Sequence, residues 1–320
     1  MAAPSVAKVD GKHMGKQSTF HPGAAPYGNF INYYTFNPPI RRLQFIPTDM
    51  LDRILDAIKV ANHDAVATVL DVGCNTGDLT IALYEHLLKG GVPEVVKQTS
   101  EHACEETSSE KPPEEGHQVD ADDSGKIKPD QCDCVNNSHE TKCEGKVSGS
   151  KQLFMLGCDI DQVLIQRATE ANPYPDNVMF QAIDIMDSTS SNKVCANFLD
   201  AHHASHIFDL TTCFSITMWI HLHQGDSGLL TFLEQVSKRT RYLIIEPQPW
   251  KCYKSAVRRV KKLGQPMQWQ SLSELQIRED VVDRIVKHLV TECNMEIVQR
   301  LGETDWERQL LLLRNSMNTV

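Results

Sequence analysis

The 320-residue sequence lacks any run of about 18 apolar residues, so no segment has the length and apolarity of a membrane-spanning helix. Its amino terminus lacks the apolar core of a secretory signal, and Lys8, Lys12 and Lys16 make a poor transit peptide. Cysteine occurs ten times, but at irregular spacings without the order of a disulfide framework. Reduced thiols in a cytosolic or nuclear protein are the reading, and a cytoplasmic location is expected. Basic charge is scarce: 32 Lys and Arg face 42 Asp and Glu, a net of −10. That balance argues against a nucleic-acid partner until it is located. Residues 91–150 hold 14 acidic and 6 basic side chains, a net of −8, which leaves −2 for the rest of the chain. The acidity belongs to one segment and says little about the remaining surface.

The Gly-x-Gly-x-x-Gly fingerprint of dinucleotide binding is also absent. In its place residues 70–80 read LDVGCNTGDLT. The apolar run Val66 to Leu70 leads into Asp71, and Gly73 and Gly77 flank a tight turn before Leu79, Ile81, Leu83 and Leu87 repeat at helical spacing. A strand, a glycine turn and a helix start form the cradle for a nucleotide-like ligand at the carboxyl end of a parallel strand. The G-x-x-x-G spacing omits the glycine that admits a pyrophosphate. It favours a ligand with an amino-acid tail over NAD, and S-adenosyl-L-methionine is the best match. The plainer reading is an ordinary strand-to-helix turn.

Around this motif the chain divides by composition. Residues 1–24 read as a flexible polar tail. Residues 25–47 interleave Tyr27, Phe30, Tyr33, Tyr34 and Phe36 with asparagines, either an arm packed on the core or a lid over the site. Residues 51–58 repeat as a helix. Residues 91–150 hold almost no large apolar side chains and read as a disordered acidic insertion. Cys132, Cys134, His139 and Cys143 within it match no common zinc spacing, and no metal is expected.

Order resumes with a strand ending at Asp159. With residues 91–150 set aside, 28 positions separate Asp71 from Asp159. That is near the ~20 between a glycine turn and a ribose-binding acid. Asp159 can accept both ribose hydroxyls, while Asp161 can cap the next helix. A third strand at 178–180 leads to Asp184 and Ile185, an acceptor for the adenine amine and an apolar surface for its ring. Further strands are predicted at 206–214 and 242–246, helices at 229–236 and 281–290, and a final strand pair at 296–301 and 309–313. The alternation implies one seven-stranded sheet.

Two other features bear on chemistry. Lys251, Lys254, Arg258, Arg259, Lys261 and Lys262 form the densest basic run, with 251, 254, 258, 261 and 262 on one side of a helix. It is either a phosphate-binding stripe or a solvated face. His221 and His223 lack the partners of a metal site, so substrate contact at a phosphate is preferred over packing.

The segments DVGCNTG, GCDID, SITMWIHLHQGDSGL and IIEPQPWKCYK, with GNF-x-x-YY and PP-x-x-RL, resemble the Bicoid-interacting family of RNA 5′-phosphate methyltransferases over about residues 23–314, minus the insertion. The short chain and the PQPWKCY segment most resemble the branch acting on 5′-monophosphates of histidine tRNA and microRNA precursors. The resemblance implies an α/β, Rossmann-like, seven-stranded class I S-adenosylmethionine-dependent methyltransferase in a single domain at 25–320. It implies that Arg42 and Asn75 bind the methionine end of the cofactor, Asp159 the ribose, and Asp184 and Ile185 the adenine, with Phe214 closing the wall. It also implies Tyr33, Tyr34, His221, Gln248 and Lys251 as candidates at the RNA phosphate. A phosphate monoester has its second pKa near 6, so its oxygen attacks the methyl carbon in line without a general base. The expected partner is RNA with a 5′-monophosphate, met by a monomer, with no membrane. Rival readings are a non-catalytic RNA-binding protein on the same fold, and a methyltransferase for small molecules or proteins.

Overall fold

The computed structural model describes residues 27–30, 32–58, 66–89, 152–262, 269 and 271–317. The tail at 1–24, the acidic insertion and its Cys and His residues lie outside the described residues. The elements in chain order are α1 (Tyr33–Phe36), α2 (Ile40–Leu43), α3 (Met50–Ile58), β1 (Val66–Val72), α4 (Asp78–Lys89), β2 (Gln152–Asp159), α5 (Gln162–Glu170), β3 (Val178–Ala182) and α6 (Ser188–Ala201), then β4 (Phe208–Phe214), α7 (Thr217–Lys238), β5 (Thr240–Glu246), α8 (Trp250–Lys262), α9 (Val281–Thr291), β6 (Met295–Thr304) and β7 (Arg308–Asn315). All fall in the unit formed by Met1–Val92 and Ser150–Val320.

Seven strands form one sheet in the order β3-β2-β1-β4-β5-β7-β6. β1 to β5 are parallel; β7 runs antiparallel to β5 and β6. The final strand pair of the sequence reading is thus a hairpin. β4 is buried at every position, as expected of a central parallel strand covered on both faces. Alternate strand residues feed opposite cores. Val69, Leu210, Ile244 and Leu312 pack with α3, α4 and α5, while Leu70, Leu243, Ile245 and Leu313 pack with α6, α7, α8 and α9.

Chain order reverses at β1, which has β2 on one side and β4 on the other. The crevice at such a switch point, outside the strands' carboxyl ends, is where ligands bind in open α/β sheets. Asp71 pairs in register with Gly157 and Thr212, and Phe214 with Glu246, so the carboxyl ends of β1, β4 and β5 open onto one rim.

Four helices differ from the sequence reading, beginning with the short α1 and α2 inside the segment read as an arm or lid. α6 was not anticipated; its start is capped by Asp187, which accepts from Thr189 and Ser190. α7 begins twelve residues before the predicted Leu229 and is interrupted at Gly225 (φ 69°, ψ −173°). Among the described residues no helix is long and apolar enough to cross a membrane.

Candidate active site

A cleft of about 850 Å³ opens at the switch point. The arm contributes Tyr27, Phe30, Tyr33, Tyr34, Phe36 and Arg42 among others, and the carboxyl ends of β1, β2 and β4 contribute the floor. The arm is both packed and a wall. Its Asn29 donates to Asp161 at 2.6 Å, and the Phe30 carbonyl accepts from the Asn75 amide at 3.2 Å.

The glycine turn is held as a unit. Gly73 has φ 81°, a backbone that favours glycine, and a Cβ there would stand 2.7 Å from Ile216 Cδ1, a side-chain tip that would have to shift. Asn75 also takes a left-handed backbone, with φ 54°. Its N–H donates to Asp159 at 3.0 Å, and its side-chain oxygen accepts from Thr76 N–H at 2.8 Å. Gly77 is not among the lining residues; it has φ 81° and a Cβ there would meet Phe180 of β3 and Ala168 of α5, so it serves the packing of the turn against those elements.

The two acids differ. Asp71 is buried and accepts from the hydroxyls of Thr80 at 2.6 Å and Thr212 at 2.7 Å. Burial raises its pKa, opposed by those two bonds. Asp159 lines the cleft half-exposed and accepts from the N–H groups of Asn75 and Asp161, both at 3.0 Å. Burial raises its pKa as well, and these backbone bonds pull it back. Each Asp159 oxygen retains lone-pair capacity for a ligand diol. Asp161 caps α5, accepting from Val163 and Leu164, the division of roles expected from sequence. Asp184 is exposed beside buried Ile185, and both line the cleft.

Opposite lies a buried polar cluster around Arg42, which is 0% exposed. Its Nε and Nη2 donate to Glu246 at 3.1 and 2.9 Å, and Nη2 also donates to Tyr33 at 2.7 Å and Ser215 at 2.9 Å. Burial works against this charge, but Glu246 and Tyr33 outweigh it and hold the pKa above the usual arginine value. Nη1 of Arg42 and Oε1 of Glu246 are buried without partners. Phe214 lies beneath, its ring centre 5.8 Å from the guanidinium carbon. Tyr34 lines the cleft and donates to the Cys74 carbonyl at 3.3 Å. Burial, with the charge of Asp71, pushes its pKa well above 10.

Three candidates for substrate contact sit differently from expectation. His221 is buried outside the lining, between Tyr253 at 3.0 Å and Asp226 at 2.7 Å. The packing alternative describes its surroundings. Lys251 is exposed, outside the lining, and paired with Glu307. Gln248 reaches the lining but is engaged: it accepts from Met218 N–H at 2.9 Å and Thr217 Oγ1 at 3.1 Å, and donates to the Ser215 carbonyl at 2.6 Å. It holds the β4–α7 turn, where Ser215 has φ 57°. Of the basic run on α8, Arg259 faces the cleft; Lys254, Arg258, Lys261 and Lys262 are exposed elsewhere.

Sequence reasoning missed Ser215, Glu246 and Arg308. Arg308, at the start of β7, lines the cleft and donates through Nη1 to Ser215 at 2.6 Å. An acid at the carboxyl end of β5, as Asp159 is at the end of β2, was the available signal for Glu246, but it stood inside a segment read for its basic run. Among the described residues no cluster of three or more His, Cys, Asp or Glu could hold a metal ion.

Residues 208–315 match the family model described as Bicoid-interacting protein 3. A pre-miRNA 5′-monophosphate methyltransferase of Danio rerio is 40% identical over 94% of this chain and 97% of its own length. A human RNA 5′-monophosphate methyltransferase is 36% identical over 92% of this chain and 82% of its own. Among solved structures, magnesium protoporphyrin IX methyltransferase from Synechocystis PCC 6803 with bound SAH covers 89% of this chain and 98% of its own at 13% identity, with a TM-score of 0.38.

Proposed function

The chain belongs to the Bicoid-interacting protein 3 family, and from that membership we propose that it transfers a methyl group from S-adenosylmethionine to the 5′-monophosphate of RNA. The names of its relatives support pre-miRNA as a substrate, and the PQPWKCY resemblance extends the proposal to histidine tRNA.

The observation that carries the reading is fully buried Arg42, its Nη1 without a partner, among the lining residues of a cleft that also holds Asp159. A cofactor with a carboxylate at one end and a ribose diol at the other satisfies both. Arg42 would hold the carboxylate, Asp159 the diol, and exposed Asp184 with Ile185 the adenine. When bound, S-adenosylmethionine supplies an electrophilic methyl on a sulfonium.

The protein's own groups position and exclude rather than exchange protons. Tyr34, with its pKa held high, stays protonated and remains a donor. His221 lies behind the wall and does not reach the cleft. A phosphate monoester is mostly dianionic at neutral pH and needs no base, so alignment is what the site must contribute.

The test compares methyl transfer to RNA oligonucleotides with 5′-monophosphate and 5′-hydroxyl ends. Transfer to the phosphorylated end alone is expected. Cofactor binding without turnover on any 5′-monophosphate RNA overturns the reading in favour of a non-catalytic RNA-binding protein.

A further inference from the structure

The cleft wall formed by α2, α8 and β7 carries more positive charge than it neutralises. Arg42, Arg259 and Arg308 all line it, and Glu246 is the acid set among them. That carboxylate is already bonded by Arg42 and Ser215, and Arg308 Nη1 stands 4.0 Å from its Oε2. Arg308 Nε is buried without a partner. Among the described residues Arg259 has no carboxylate partner, and its guanidinium carbon lies 4.9 Å from the centre of the Phe30 ring, a cation–π contact that leaves its N–H groups without a protein acceptor. Arg308 Nη2 donates to Cys252 Sγ of α8 at 3.7 Å, which ties it to the helix that carries Arg259. Burial and the charge of Arg308, opposed by Cys252, lower the Arg259 pKa.

We propose that Arg259 and Arg308 form the receptor for the dianionic 5′-phosphate of the substrate RNA. The inference rests on the RNA-phosphate reading above and names the groups that recognise the end. On this wall Arg42 is paired with Glu246, which leaves Arg259 and Arg308 as an excess of two positive charges, while the aspartates of the lining, Asp71, Asp159 and Asp184, come from β1, β2 and the segment after β3. Two positive charges equal the charge of a phosphate monoester above its second pKa near 6. Guanidinium forks match phosphate oxygens in pairs, which lysine does not. A 5′-hydroxyl end leaves the excess unmet, so the pair discriminates between the two ends. Transfer of one methyl to a phosphate oxygen forms an O–C bond, breaks the bond from that methyl to the sulfonium sulfur, which keeps the electron pair and leaves as S-adenosylhomocysteine, and removes one negative charge from the RNA end, so the same pair grips the product less than the substrate.

The test uses the full chain loaded with S-adenosylhomocysteine and two labelled oligoribonucleotides of one sequence, one 5′-phosphorylated and one with a 5′-hydroxyl. α8 is anchored by Trp250, Tyr253, Ala256 and Val260, so Arg259→Met leaves its core face intact. Arg259→Met is expected to weaken binding of the phosphorylated oligonucleotide tenfold or more, to the level of the hydroxyl form. S-adenosylhomocysteine affinity should be unchanged, and Arg259→Lys should restore only part of the preference. In turnover, KM for the phosphorylated RNA should rise more than kcat falls. A variant that keeps the wild-type preference for the phosphorylated end overturns the proposal, as does an equal loss for both oligonucleotides. If the wild-type protein prefers the phosphorylated end yet transfers no methyl, the enzymatic reading fails and the receptor stands.

Discussion

Asp71 and Asp159 end neighbouring strands, and their oxygens are engaged differently. Asp71 binds two buried hydroxyls of its own fold, whereas Asp159 binds two backbone N–H groups and faces the cleft. Asp71→Ala should therefore act on stability. Two buried hydroxyls lose their acceptor, a cost of about 2 kcal/mol or more. Thermal unfolding should show a melting temperature several degrees lower. Asp159→Ala should act on the ligand, weakening S-adenosylmethionine binding by about 10- to 100-fold in calorimetry with a smaller thermal shift. An Asp159→Ala protein that binds as the wild type would remove the ribose assignment. Asp159 and its neighbour Asp161 were legible because an acid at a strand end and a helix cap are local signals. Ser215 and Arg308 were not. They meet across 93 residues, and nothing in the serine or the arginine alone marks the encounter.

At the scale of elements, α8 shows how phase limits inference from a charge run. Lys251 and Arg259 are eight residues apart, turned by about 80° on a helix. Trp250, Tyr253, Ala256 and Val260 turn to the core, and that choice brings Arg259 to the cleft and leaves Lys251 on Glu307. Spacing alone defines the stripes but not which of them meets the sheet. α7 makes a different point. Its break at Gly225 places Asp226 where it accepts from His221 and from the N–H groups of Gln276 and Ile277. Burial lowers the His221 pKa despite Asp226. The unfolded chain therefore takes up this proton first, near pH 6.5. The histidine's contribution to stability is present above that pH and is lost as pH falls through it. Asp226, whose own pKa is lowered because its bonds to His221, Gln276 and Ile277 outweigh burial, adds a loss of the same sign beginning near pH 3.9. Denaturant unfolding at pH 7.5 and 5.5 should show a larger drop for the wild type than for His221→Asn. Equal drops would mean that His221 titrates as an exposed histidine does.

Across the whole molecule, alternation of apolar segments revealed the number and sequence of strands, because each strand and helix carries its own periodicity. The spatial order did not follow from it, since a strand bears no mark of its neighbour. The described lining residues of the cleft all belong to the unit that carries the sheet, and the composition of 91–150 cannot support a core. Replacing residues 95–148 by a short glycine-serine linker should leave methyl transfer and cofactor affinity within about twofold of the wild type, since surface loops tolerate large changes in length. Loss of transfer with the fold intact, checked by circular dichroism, would assign the insertion a function. The Arg42–Glu246 pair has a consequence of its own. Its members are 204 residues apart, and Arg308 joins the same cluster later still. A chain emerging from the ribosome carries the glycine turn early, but its cofactor wall closes only after β7 has been made. Competence to bind the methyl donor therefore arrives last, and a prematurely terminated chain, however well its first strands pair, is a protein with a floor and no wall.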